Sequence, residues 1–102
     1  MRPMYYYIID DNDQPVPCED VLEWGRWMKS NERAVAKTKF AGGIVSTVFL
    51  GLDHNFGDRG APVLWETMIF GGPHDGYQDR YTSLKNARAG HKRAILLAMG
   101  DS

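Results

Sequence analysis

The chain is poor in cysteine: Cys18 is the only one, so no intrachain disulfide can form and a reducing setting such as the cytoplasm fits best. Cys18 would still permit a covalent dimer. Net charge is also lacking. Twelve basic residues stand against thirteen acidic ones, a formal charge of −1. Nothing here resembles the field that holds a protein on nucleic acid or an anionic membrane, and a nucleic-acid partner is not expected. The same balance excludes a DNA mimic, whose acidic excess would be large; acidity is local, at Asp10, Asp11 and Asp13 in a turn. No apolar run approaches the ~20 residues of a membrane span. The opening Met1 to Met4, followed by three tyrosines, has no basic-then-apolar signal pattern. The expected location is cytoplasmic.

What is present suits one folded domain over residues 1–102, with 43% apolar and 25% charged residues. Tyr5 to Ile9, aromatic and β-branched, read as a strand stopped by the Asp-rich turn. Pro15 and Pro17 hold the chain extended up to Cys18. A helix over about 18–30 follows, with Glu19 and Asp20 in its first turn, where the dipole favours them. Val21, Trp24, Gly25 and Met28 recur at helical spacing, widened by Leu22 and Trp27, and predict one buried face. Gly25 is expected to let that helix approach the sheet closely.

Residues 33–40 alternate as a half-exposed strand, with Val35, Lys37 and Lys39 on one side and Ala36, Thr38 and Phe40 on the other. Such lysines suit an edge. Ala41-Gly42-Gly43 signals a hairpin, and 44–52 is the strongest strand, expected at the centre of the sheet. Strands at 63–70 and 77–81 follow, then a helix over 84–99 capped by Thr82 or Ser83. Leu84, Ala87, His91, Ala94, Ile95 and Ala98 share its apolar face. The order β-α-β-β-β-β-α predicts an α+β fold, an antiparallel meander with two helices packed on one face.

Ten residues, 53–62, join two of these strands, long for a hairpin connection. Asp53, His54 and Asn55 open that loop with a carboxylate, an imidazole and an amide at the end of a central strand, a common setting for a functional loop. His54 beside Asp53 could act as a general base only if the fold supplied a further acid or nucleophile, and convergence of the loop with Glu66 or Arg59 in a pocket would favour such a site. Turn chemistry alone also explains this composition. No catalytic residue is assigned. No metal site and no cofactor are expected, because a meander puts His54 and His74 at opposite ends of the sheet and no Cys-x-x-Cys or helical histidine pair exists. His91, on an apolar helix face, reads as a core histidine bonded to a neighbour. Gly71 to Gly76 joins strands without opening a helix, so it reads as a turn and not a phosphate cradle. Glu19 and Asp20 oppose a thiolate at Cys18.

Arg80, Lys85, Arg88, Lys92 and Arg93 give the last helix a basic side, most simply a solvated one. Three tryptophans and the tyrosines at 5–7 exceed what a core of this size needs. Exposed aromatics beside charges are the composition of a protein interface or a homodimer seam.

The stretch Val45 to Gly57, then Trp65-Glu66-Thr67-Met68-Ile69-Phe70-Gly71-Gly72, and Arg80-Tyr81 ahead of Ala87 to His91, resembles a group of small uncharacterised proteins encoded by tailed phages and prophages. That resemblance covers about the last sixty residues and brings no catalytic motif. By analogy it implies a non-catalytic protein that binds a bacterial host protein, for example an anti-defence inhibitor of the anti-CRISPR type. Trp27, Asp53, His54, Asn55, Phe56 and Arg59 are the candidate partner-binding residues. A small enzyme or ligand-binding domain built on the 53–55 loop, and a phage structural or assembly protein, are the alternatives.

Overall fold

Alternating side chains over 43–49 and 65–71 send every second residue to one face of a sheet, and those are the residues that vanish from solvent. Val45, Thr47, Phe49, Trp65, Thr67 and Ile69 are all at most 2% exposed. The computed structural model describes residues 5–55 and 60–100. It contains β1 (Tyr7–Ile9), β2 (Pro15–Pro17), α1 (Val21–Ser30), β3 (Ala34–Phe40), β4 (Gly43–Phe49), β5 (Trp65–Gly71), β6 (Gln78–Tyr81) and α2 (Leu84–Gly100). β3-β4-β5-β6 form an antiparallel meander in chain order, and β1-β2 form a separate two-stranded sheet. The fold is thus the α+β meander expected, with β3 an edge and β4 central.

α2 lies across the buried face. Ala94 and Ala98 meet Val45 and Ile69, while Ala87 meets Phe49, Leu64, Trp65 and Tyr81 at the other end. Small residues on the helix leave room for large ones on the strands, so the alanine-rich stripe packs closely. Gly90 is the tightest point: a Cβ there would run into the ring and hydroxyl of Tyr81. Ser83 is the cap, its Oγ accepting the Asn86 N–H at 3.1 Å. α1 reaches the same face through Trp27, whose ring stands edge-on to Phe49 at 5.9 Å.

Several sequence expectations shift. Pro15–Pro17 is more than an extended lead: it pairs with β1, with Ile8 opposite Val16. Prolines are tolerated there because this small sheet is all edge. α1 starts at Val21, not residue 18, because the Asp20 side chain accepts the Leu22 and Glu23 N–H groups as its N-cap. Its first turn overhangs the core, leaving Val21 and Leu22 exposed. Gly25 permits no close approach, since a Cβ there would find nothing within 4 Å. The close approach is at Gly51 (φ +73), where a Cβ would meet the Met28 sulfur at 2.5 Å. A register shift between Ala34 and Ala36 turns Val35 into the core beside Phe49, off the Lys37–Lys39 face.

Candidate functional site

The 53–55 segment follows β4 by way of Gly51 and is fastened from both sides. The Asp53 N–H donates to the Tyr5 carbonyl at 2.8 Å. Asp53 itself is fully buried, and its Oδ1 accepts the N–H of Asn55 at 2.8 Å and of Val63 at 3.0 Å. One carboxylate therefore clasps the two ends of the long loop. His54 donates its Nδ1–H to the Leu52 carbonyl at 2.7 Å, and Asn55 donates its side-chain N–H to the Ala61 carbonyl at 3.1 Å. Each of the three spends bonding capacity on the loop's own backbone. Phe56 and Arg59 lie outside the described residues. Glu66 does not converge with Asp53: it sits on the sheet face away from α2, accepting from Arg80 Nε at 2.9 Å and from the Gln78 amide.

The remaining histidines are also separated. His74 lies in the turn after β5, next to the Gly43–Gly71 end of the sheet, while His54 lies beyond the Phe49–Trp65 end. Among the described residues no three His, Cys, Asp or Glu side chains are grouped to hold a metal. His91, almost fully buried, bridges β3 and β4: Nε2 is 2.9 Å from Thr38 Oγ1 and Nδ1 is 2.7 Å from Thr47 Oγ1. Thr47 continues to Thr67 Oγ1 at 2.5 Å, so hydroxyls on three adjacent strands form one chain with the imidazole. Burial holds the His91 value below its ordinary 6.5. Burial raises the Tyr81 phenol on the fourth strand, with the neighbouring Thr67 side chain working against it. Its oxygen makes no well-formed hydrogen bond among the described residues.

The Trp27 neighbourhood is different. A cleft of about 310 Å³ opens between the β1-β2 hairpin, the end of α1, the start of β3 and the start of α2. Trp27, Phe49, Trp65 and Leu84 give it an aromatic and aliphatic floor; Arg33, Arg88, Glu32 and Asp13 stand around it. Asp13 is the single non-glycine residue with positive φ (61°) among those described, a conformation Asp tolerates at a hairpin tip. The Ala34 N–H, 2.9 Å away, holds the Glu32 carboxyl below its ordinary range, with Lys37 and Arg33 adding to the effect. Arg33 and Arg88, by contrast, enter no ion pair among the described residues. Their guanidinium donors are available at the mouth of an apolar recess.

Trp27 was visible in sequence as an aromatic on the margin of the α1 stripe. Arg33, Leu84 and Arg88 were not: they come from segments fifty residues apart, and only the start of α2 crossing the β3 end unites them. Among the described residues no helix is long and apolar enough to cross a membrane. Comparison with protein-family models, with curated proteins and with solved structures finds no match.

Proposed function

We propose that this is a non-catalytic binding protein, of the kind tailed phages carry, that modulates a bacterial host protein and grips it at the Trp27 cleft. The observation that supports the reading is the cleft's make-up: a recess floored by aromatics and rimmed by two guanidiniums that enter no ion pair among the described residues. Aromatic and Arg side chains around a desolvated pocket are where binding energy concentrates in protein interfaces. The imidazole–carboxylate pair of the 53–55 loop, the rival centre, is engaged with its own backbone. Inhibition of a host defence protein is the form of this activity that the phage resemblance suggests.

The test is affinity capture from a bacterial lysate, read by mass spectrometry, with wild type, Trp27→Ala, Arg88→Glu and His54→Ala. One host protein should be retained in stoichiometric amount by wild type and lost with Trp27→Ala and with Arg88→Glu. Arg88 is exposed, so its variant keeps the core. Loss on His54→Ala alone moves the binding surface to the loop, and an empty wild-type capture overturns the reading for that host.

A further inference from the structure

The charges of the chain nearly cancel in sum but not in space. Asp10, Asp11, Asp13, Glu19, Asp20 and Glu23 fall within fourteen consecutive residues that contain no lysine or arginine. In the fold this stretch is the β1–β2 turn, β2 and the first turn of α1, so the acidity extends well past the turn aspartates. Leu22, 70% exposed, and Val21, 48% exposed, stand within it as an apolar step. A leucine so exposed beside carboxylates has no role in this chain's own core.

The sheet face away from α2 has the opposite character. Register places Ile44 beside Phe70 and Ser46 beside Met68, with Val48 in the next row. Lys39 flanks Ile44 and Lys37 flanks Ser46 on the β3 edge. Phe70 is 48% exposed, and among the described residues the helices meet these strands from the other side, α2 along them and α1 through Trp27 at Phe49. Glu66 on this face is already engaged by Arg80, while Lys37 and Lys39 enter no ion pair among the described residues.

We propose that the two surfaces are complementary, and that the Leu22 end of α1 in one copy docks on the open sheet face of a second copy. Leu22 then meets the Phe70–Met68 strip, and Glu19 and Glu23 meet Lys37 and Lys39. Apolar centres ringed by opposite charge are the arrangement that fixes orientation in an interface. The contact joins two different patches, so it is heterologous and copies add head to tail. Leu22, Glu19 and Glu23, and the Lys37, Lys39, Met68 and Phe70 they meet, all lie outside the Trp27 cleft, so this inference stands or falls apart from the proposed function.

Sedimentation velocity on the purified chain, from micromolar to millimolar concentration, tests it. The average mass should rise with concentration and fall as salt screens the charged rim. A Lys37→Glu/Lys39→Glu variant loses the sheet patch and a Leu22→Asp variant loses the helix patch. Each alone should associate at least about tenfold more weakly. Mixed in equal amounts they should form a dimer and stop there, because only one complementary pair of surfaces survives. All substituted side chains are exposed, and an unchanged melting temperature verifies the fold. A wild type that stays monomeric, a salt-insensitive association, or a mixture that remains monomeric would each overturn the proposal.

Discussion

A carboxylate with no exposed surface must be held by the donors around it, and Asp53 has backbone N–H groups from Asn55 and Val63. Replacing it by alanine strands two part-buried donors and unties the loop, at a cost of about 3 kcal/mol. Urea denaturation of Asp53→Ala measures this, and a change below about 0.5 kcal/mol would refute the clasp. His91 gives a pH dependence of definite sign. Its folded value lies below the unfolded 6.5, so the unfolded chain binds more protons as pH falls through 6.5. Stability is full above that point and declines below it. The groups its ring nitrogens bond, Thr38 and Thr47, are neutral hydroxyls, so no contacting carboxylate compensates the charge. Between pH 6.5 and about 5, above most carboxylate titration, wild type should lose stability faster than His91→Gln. Parallel profiles would remove His91 as the cause. The sequence placed His91 on the apolar face of α2; it could not show that two strands would each present a hydroxyl to it.

The helices separate two uses of glycine that look alike in sequence. Gly25 faces open space and Gly90 faces the Tyr81 ring. Gly25→Ala should therefore raise stability by about 0.5–1 kcal/mol, the ordinary helix-propensity gain. Gly90→Ala should lower it by about 1–3 kcal/mol, because overpacking outweighs the same gain. Paired thermal melts decide the point, and equal shifts would contradict the packing described. Helical spacing made both helices legible, since a stripe at 84, 87, 91, 94 and 98 has no other explanation. It did not tell which part of the α1 stripe would be covered, because that depends on where β1 lies. β2 escaped notice because Pro-Val-Pro has too few residues to alternate. The Val35 inversion escaped because a bulge leaves no mark in the hydrophobic pattern.

Across the whole molecule, the element order and the meander followed from local signals, while the cleft did not. Strand alternation, hairpin glycines and helix caps act over a few residues and can be read one at a time. The cleft needs Trp27, Arg33 and Arg88 brought to one place by tertiary packing, and no spacing rule encodes that. The acidic run at 10–23 and the lysines of β3 were readable as residues; their separation onto different surfaces was not.

The row of hydroxyls beneath α2 also bears on how the chain is made. Thr38, Thr47 and Thr67 stand on three neighbouring strands, and the imidazole that joins them arrives from position 91. During synthesis the strands emerge first and can pair, yet their inner face keeps an unfinished polar seam and an uncovered apolar surface until the last helix appears. Folding must therefore wait for the end of translation of this domain, and a nascent chain halted before residue 91 should be captured by holdase chaperones that release the finished one.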